Sequence, residues 1–393
     1  MNAHHATGKR CASCVLPGTY RNITFDRNGV CNYCRTYDRL RPKLTNFRRL
    51  RKLREDRFDA ARGTHDYDCL VGMSGGKDSS WIALQLVQKH GLKCLGFTFD
   101  NTFLTEYARA NIALVANRLG IDHFYHTVDP ELHRQFYRQA VLSFGKPCPG
   151  CSYSSYALSY KLAFERGIPL VIHGRSRSQM FRELLPGSPD AFLPFVTLNL
   201  SPYDHAANLK ATLNARNRLD TFIAMAIPDP PMRERFYHEF FPPTDALRTA
   251  NLLPEFLGYF LYQPYDEHAM MNELVAELDW KKPQADGLLT HADCAVHDAA
   301  GYLHEKVFGH NILAFELSVM IREGNMTRQE AMARLEAENQ LPAPSDALGA
   351  MCDHVGIDPQ TLPAILEHIA RKNRRRNRML RIRNWFLRPR LDL

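Results

Sequence analysis

The sequence predicts an α/β protein with a doubly wound parallel sheet, a small cysteine-rich module before it and a helical region after it. Three observations carry this prediction. Strand-like apolar runs alternate with helical patterns between residues 66 and 175. The run at residues 69–71 enters a glycine-rich turn that opens directly into a helical pattern. Two paired cysteine motifs lie within the first 40 residues.

Length and composition limit the function classes. The 393 residues suffice for more than one domain, and contents of 45% hydrophobic and 23% charged residues are typical of soluble globular proteins. No apolar run approaches the roughly 20 residues of a membrane span, and no signal-peptide core is recognisable, so we expect a cytoplasmic protein. Ten cysteines in that compartment indicate metal binding or catalysis rather than disulfides. The net charge of +8 suits an anionic substrate and does not by itself indicate nucleic acid.

Residues 1–40 are predicted to form a zinc ribbon. Cys11, Cys14, Cys31 and Cys34 follow the pattern C-x2-C-x16-C-x2-C, which matches a four-thiolate zinc site. The segment is too short to build an apolar core, so metal binding would supply its folding energy. An iron–sulfur cluster or a redox pair is the alternative.

Residues 41–62 carry many arginines, with leucines and a phenylalanine at helical spacing. They predict a solvated helical linker, and the alternative is a face that binds nucleic acid.

Residues 63–200 are predicted to form the nucleotide-binding domain. Strands are expected at 68–73, 93–99, 122–128 and 169–173, and helices at 78–90, 104–119, 130–143 and 152–166. In such sheets ligands bind at the carboxyl ends of the strands. The turn at residues 74–79, the residues after the second strand and those after the last strand should therefore meet at one edge.

The rest of the chain is predicted to be mainly helical. Residues 201–345 would form a substrate or partner region and 346–393 a basic helical tail, with helices at 245–262, 267–279, 311–323, 327–339 and 360–380. The arginine-dense segment 371–390 includes Trp385, Phe386 and Leu387. It is predicted to be a surface helix, with contact to an anionic membrane or partner, or to RNA, as alternatives.

The glycine-rich turn is a predicted phosphate site. Backbone N–H groups at a helix N-terminus bind anions, and glycines let the backbone approach a phosphate closely. The kinase-type loop G-x-x-x-x-G-K-[ST] does not fit, because Val71 stands at its first position and Asp78 follows Lys77.

Lys77 and Asp78 are the predicted catalytic residues. Lys77 would neutralise the β- or γ-phosphate, and Asp78 would cap the helix, bind Mg²⁺, or do both. The side chain of Asp100 would either terminate a strand or contact the nucleotide, and His173 is expected to be structural or a nucleotide contact. The full set of predicted nucleotide-binding residues is Met73, Ser74, Gly75, Gly76, Lys77, Asp78, Ser79, Asp100, His173 and Gly174.

A third C-x-x-C motif, Cys148 and Cys151, precedes a predicted helix. It is open to three interpretations: a redox pair, a sulfur-carrying thiol, or half of a metal site. Together with Cys294 it could hold a three-cysteine iron–sulfur cluster or a second zinc ion. Cys69, Cys94 and Cys352 are expected in the core.

The string Ser-Gly-Gly-Lys-Asp-Ser at residues 74–79 resembles the loop of the N-type ATP pyrophosphatases, the PP-loop or adenine nucleotide alpha-hydrolase-like superfamily with its HUP-like sheet. The order Cys11-x-x-Cys14-Val-Leu-Pro, the second C-x-x-C and this loop resemble the N-acetyl sugar amidotransferases of bacterial surface-polysaccharide (LPS) biosynthesis. Further similarity lies in Lys146-Pro-Cys148-Pro-Gly-Cys151, in Asp293-Cys294, and in the segment from Leu317 to Ala331.

The resemblance implies an ATP-dependent amidotransferase. It would adenylate the acetamido carbonyl of an N-acetylated nucleotide sugar, with release of AMP and pyrophosphate, for displacement by ammonia to give an acetamidino sugar. The expected cofactors are ATP, Mg²⁺ and Zn²⁺, with an iron–sulfur cluster as the alternative at the later cysteines. The family implies a separate glutaminase with a cyclase-like subunit as the ammonia source. No glutaminase motif is evident in this sequence.

Two alternatives remain open at this point. One is a PP-loop sulfurtransferase that thiolates tRNA or a small molecule, with Cys148 and Cys151 as persulfide or iron–sulfur ligands. The other is a scaffold that binds a nucleotide without catalysis.

Overall fold

The central feature of the computed structural model, which describes residues 8–184, 202–282 and 292–386, is a five-stranded parallel sheet. Its strands are β1 (Cys69–Gly72), β2 (Cys94–Phe99), β3 (Asp122–His126), β4 (Leu170–His173) and β5 (Glu255–Gly258). The order is β3-β2-β1-β4-β5, with every neighbouring pair parallel. The chain winds outward from β1 in one direction and then returns to wind in the other. The predicted doubly wound α/β fold is therefore confirmed.

The helices account for most of the remaining described residues. They are α1 (Asn32–Leu44), α2 (Phe47–Ala61), α3 (Lys77–Leu84), α4 (Glu106–Leu119), α5 (Pro130–Phe144), α6 (Cys148–Glu165), α7 (Arg177–Leu184), α8 (His205–Ala226), α9 (Pro230–Phe240), α10 (Thr244–Thr249), α11 (Glu267–Leu278), α12 (His297–Phe308), α13 (Leu313–Glu323), α14 (Arg328–Asn339), α15 (Ser345–Val355) and α16 (Leu362–Phe386). A π-helical turn, Gln85–Lys89, extends α3, and a 3₁₀ turn, Tyr259–Tyr262, follows β5.

Two large apolar cores cover the two faces of the sheet. Val71 and Ile172 belong to one core, whereas their neighbours Leu70 and Val171 belong to the other. This alternation follows from the two-residue period of a strand. The central strands are buried on both faces, and they consequently read as continuous apolar runs in the sequence.

The predicted helix at 245–262 is wrong. That segment contains α10, strand β5 and the 3₁₀ turn. A strand buried on both faces has no polar alternation, so a short apolar run does not distinguish it from a buried helix. β5 also carries the sheet to residue 258, well beyond residue 200, where the nucleotide-binding domain was predicted to end.

Residues 41–62, for which a solvated helical linker is predicted, include α2, which buries one face and exposes the other. Leu50 and Phe58 are almost fully buried in the same core as the ribbon cysteines. Arg57 donates to Glu255 of β5 at 2.9 Å, and both side chains are less than a tenth exposed. Burial raises the pKa of Glu255, and Arg57 opposes that effect. α2 is thus anchored to the sheet edge by a buried ion pair.

A second buried arginine joins three helices. Arg177 at the start of α7 is 1% exposed, and its Nε donates to Glu323 of α13 at 2.6 Å. The same guanidinium donates to the carbonyl of Leu44 in α1 at 2.8 Å and lies over the Phe181 ring. This contact packs the ribbon helix, the sheet domain and the C-terminal helices against each other.

Of the helices in the three described segments, none combines the length and the apolar character that crossing a membrane requires. α16 covers most of the predicted basic tail, and Leu387 lies outside the described residues.

Candidate active site and metal centre

A cavity of about 400 Å³ opens where β1, β2 and β4 end. This volume lies in the range of small-molecule sites. The carboxyl ends of the strands contribute residues 72–74, 76–79, Asn101 and residues 173–175 to its wall, while Gly75 is not part of it. The first turns of α6 and the segment 293–297 complete it. The structure therefore brings the predicted phosphate loop, His173, Gly174 and the three cysteines of the later motifs to a single site.

The phosphate loop, residues 74–79, is held by its own hydroxyl groups. Ser79 Oγ accepts from the N–H of Ser74 at 3.1 Å and donates to the carbonyl of Gly76 at 3.2 Å. Gly76 is the N-cap of α3 and supplies no side-chain cap. The uncapped first turn of a helix is a favourable environment for phosphate. The predicted cap by Asp78 is therefore wrong, because Asp78 already lies within the first turn.

Gly75 has a conformation that other residues rarely adopt. Its φ is +77°, and a Cβ added there would lie 2.3 Å from the carbonyl oxygen of Ala108 in α4. The neighbouring Gly174 also permits a close approach, since its Cβ position lies 3.3 Å from the backbone nitrogen of Ser79. The loop is thus wedged between α4 and the end of β4.

Gly75→Ala should destabilise the protein by about 1–3 kcal/mol, because the added methyl group both overpacks α4 and strains the backbone. Urea denaturation measures the change. The control is Gly349→Ala in α15, where the Cβ position is open, and there we expect stabilisation by about 0.5–1 kcal/mol. Equal stability of the two variants would contradict the described loop.

Lys77 is a buried cation surrounded by carboxylates. It is 6% exposed, and its Nζ lies 3.7 Å from both Asp78 Oδ1 and Glu267 Oε1. Burial lowers its pKa, but Asp78, Glu267, Glu316 and Asp293 outweigh that effect and raise it. Lys77 is therefore charged at neutral pH and held beside the phosphate loop.

Two carboxylates adjoin the same loop. Asp78 Oδ1 accepts from the hydroxyl of Tyr265 at 2.9 Å. Asp293 Oδ2 lies 3.4 Å from the position of a Cβ on Gly76. Mg²⁺ in nucleotide sites usually takes one or two carboxylates together with phosphate oxygens, so these donors fit that ion.

The remaining predicted nucleotide contacts fall into two groups. Gly174 and His173 line the cavity. Burial lowers the pKa of His173 to about 3, so the ring is neutral, and its Nδ1 accepts from the N–H of Arg175 at 3.3 Å. Met73 lines the cavity while its sulfur lies against Gly96. Asp100 is not in the cavity wall and instead pairs with Arg109 at 2.9 Å.

Cys148, Cys151 and Cys294 all line this cavity. Asn101 Nδ2 donates to Cys151 Sγ at 3.6 Å, and burial raises the pKa of both Cys151 and Cys294. The ligand atoms of a single-ion site lie within 4.8 Å of one another, and the three sulfurs do not. Within the described residues only the four ribbon cysteines meet that spacing. A cluster holds its thiolates further apart than a single ion does, so this spacing leaves a cluster open.

The four ribbon cysteines form a compact metal site. Their sulfurs all lie within 4.8 Å of one another, with 3.9 Å between Cys11 and Cys34 and 3.8 Å between Cys14 and Cys31. A tetrahedron with zinc–sulfur bonds of about 2.3 Å requires about 3.8 Å between sulfurs. The donor set therefore fits a tetrahedral metal ion.

Comparison with known proteins gives one informative match. Residues 296–385 match the family model described as "LPS biosynthesis protein WbpG-like, C-terminal domain". This agrees with the relation to surface-polysaccharide biosynthesis that the sequence motifs indicate. Among curated proteins, the uncharacterized protein MJ1599 of Methanocaldococcus jannaschii is 26% identical over 36% of this chain and 50% of its own length. The chain thus spans half of that relative.

A solved structure, the U34-tRNA thiolase NcsA from Methanococcus maripaludis with its 4Fe-4S cluster, is also similar. It shares 11% sequence identity, with 84% of this chain and 88% of that chain covered, at a TM-score of 0.32. At that score the similarity does not establish a common fold.

Proposed function

We propose that this protein is an ATP-dependent amidotransferase acting on an N-acetylated nucleotide sugar. The observation that carries the proposal is the composition of one cavity wall. The phosphate loop and Lys77 line one side of the cavity, where ATP would bind. Val296 and His297, which open the segment matching the WbpG-like domain, line the same cavity. A surface-polysaccharide domain thus adjoins a phosphate loop that resembles those of ATP pyrophosphatases.

The chemistry needs an activated amide. The acetamido oxygen attacks the α-phosphorus of ATP, and the bond between the α- and β-phosphates breaks to release pyrophosphate. Ammonia then attacks the imidate carbon, and the carbon–oxygen bond breaks so that AMP departs with the oxygen. Loss of a proton leaves the acetamidino group. Negative charge develops on pyrophosphate first and on AMP second, which is where a fixed cation and N–H donors are effective.

Several residues of this chain would stabilise these negative charges. Lys77 and the uncapped first turn of α3 would stabilise the departing pyrophosphate. Asp78 and Asp293 would hold Mg²⁺, which supplies further neutralisation of the phosphates when bound. Tyr265 orients Asp78 through its hydrogen bond.

The test is AMP formation from ATP in the presence of ammonium, assayed across a panel of N-acetylated sugar nucleotides. We expect AMP release to require the acetamido group. The matched control is the same sugar nucleotide with a hydroxyl group in place of the acetamido group. Equal AMP release with both, for every sugar tested, would contradict the proposal.

The proposed partners follow the same interpretation. Ammonia would come from a separate glutaminase with a cyclase-like subunit. Among the side chains of α16 that the structure describes, six basic ones are exposed, and they would favour contact with an anionic membrane. These are Arg371, Lys372, Arg374, Arg375, Arg376 and Arg378.

A second candidate function is favoured by the three cysteines in the same cavity. Cys148, Cys151 and Cys294 line this cavity, and they would hold an iron–sulfur cluster or a persulfide beside the activated substrate. The protein would then transfer sulfur to tRNA or to a small molecule. Iron analysis of anaerobically purified protein discriminates between the candidates. Stoichiometric iron that Cys151→Ala removes would favour sulfur transfer, and its absence would favour amidotransfer.

A further inference from the structure

Arg322 of α13 is a buried cation that contacts two of the metal-site sulfurs. Its Nε donates to Cys34 Sγ at 3.4 Å, and an Nη donates to Cys14 Sγ at 3.5 Å. The residue is 6% exposed. No carboxylate of the described segments lies within ion-pair distance of it, so the thiolates are its counter-charge.

The positive charge of Arg322 is opposite in sign to the net charge of the four-cysteine metal centre. Four thiolates and one divalent ion carry a net charge of −2, which is costly to bury without a compensating cation. Arg322 supplies one positive charge and two N–H donors to this centre.

α13 and the residues after it bind the ribbon at further points. Ser318, which is fully buried, accepts from the N–H of Val15 at 3.3 Å. Phe315 stacks on Tyr20 with ring centroids 5.6 Å apart. Arg328 at the start of α14 donates to the carbonyl of Cys14 at 3.2 Å. The ribbon therefore docks on α13 as a surface, with Arg322 at its charged centre.

The same helix also contributes to the environment of the phosphate loop. Asn325, which follows α13, donates to the backbone carbonyl of Tyr265 at 3.1 Å, and the Tyr265 hydroxyl donates to Asp78 of the loop at 2.9 Å. α13 thus carries the ribbon contacts and ends beside a residue that is linked to the loop by hydrogen bonds. A shift of this helix would therefore change the surroundings of both the ribbon metal centre and the phosphate loop.

We propose that Arg322 is the outer cation of the four-cysteine metal centre and that the bound metal holds α13, and with it the contact from Asn325 to Tyr265, beside the phosphate loop. The inference rests on the proposed metal in the ribbon and is independent of which reaction the cavity performs. Arg322 acts here as a positioning residue that responds to the metal.

The experiment compares wild-type protein with Arg322→Met and Arg322→Lys. Elemental analysis gives the metal and its stoichiometry, and a chromophoric chelator then follows its release. We expect Arg322→Met to lose metal faster by roughly 10–100-fold, the usual size of outer-shell effects, with Arg322→Lys in between. Arg328→Met is the matched control, because that arginine contacts a ribbon carbonyl rather than a sulfur, and its release rate should stay near wild type.

Hydrogen exchange supplies a readout separate from metal affinity. Stripping metal from the wild-type protein should increase amide exchange in α13 and in residues 74–79. In Arg322→Met, or in Arg322→Lys if the first variant does not fold, exchange in α13 should already be raised with metal bound. Wild-type release rates in both Arg322 variants, or unchanged exchange after stripping, would overturn the proposal. A purified protein without metal would overturn it together with the metal assignment, while the AMP assay tests the amidotransferase independently.

Discussion

Lys77→Ala is expected to reduce the rate of ATP cleavage to AMP by at least about a hundredfold, the usual loss when a charge-stabilising group is removed. Lys77 is the cation that stands beside the uncapped turn of α3, and its charge is secured by four surrounding carboxylates. Without it, those carboxylates would repel the phosphates. Exchange of labelled pyrophosphate into ATP isolates the adenylation step and should fall in parallel.

The matched control is Lys89→Ala, an exposed lysine in the π-helical turn that continues α3. It should retain wild-type activity. Circular dichroism should show both variants folded. If the folded Lys77→Ala variant exchanged pyrophosphate into ATP at the wild-type rate, Lys77 would not be a catalytic residue.

Arg177→Met is expected to lower the free energy of unfolding by about 3–5 kcal/mol, because it leaves Glu323 without its cation in the interior. Glu323 is 9% exposed at its side chain and retains only the hydroxyl of Tyr37 among the partners described for it, at 3.1 Å. Three backbone carbonyls also lose a donor. Urea denaturation followed by tryptophan fluorescence measures the effect.

Two further variants separate the buried charge from the loss of packing. Arg177→Met combined with Glu323→Leu should recover part of the stability, since no unpaired charge remains. Arg235→Met removes an exposed pair with Asp129 and should cost no more than about 1 kcal/mol. An Arg177→Met variant as stable as Arg235→Met would show that the buried pair does not hold the three helices together.

The sheet around the phosphate loop was predictable because its strands are locally distinct. β1, β2 and β4 each end at a turn with a clear composition, and their predicted bounds agree with the observed ones to within a residue. β5 was not predictable, since its apolar run Phe256 to Leu261 continues into a 3₁₀ turn and has the same composition as a buried helix.

The candidate site likewise contains features that the sequence predicts and features that it does not. Residues 74–79 and the ribbon cysteines are contiguous motifs, so their sequence spacing predicts both the loop and the metal geometry. Glu267 at the start of α11 lies 3.7 Å from Lys77, and Tyr265 just before that helix donates to Asp78, although both are about 190 positions along the chain from the loop. No local pattern marks such residues, because only the packing of distant helices brings them together. Arg322 belongs to a motif that carries the family resemblance, but its contact with the ribbon sulfurs was not predicted, for the same reason.

The most direct test of the proposed reaction is the mass of the sugar product. Purified protein would be incubated with ATP, Mg²⁺, ammonium and each N-acetylated sugar nucleotide, and the product analysed by mass spectrometry. The proposed amidotransferase predicts a product in which NH replaces the acetamido oxygen, with nitrogen-15 retained when labelled ammonium is supplied. A product in which sulfur replaces that oxygen, or AMP formation that leaves every sugar unchanged, would contradict it.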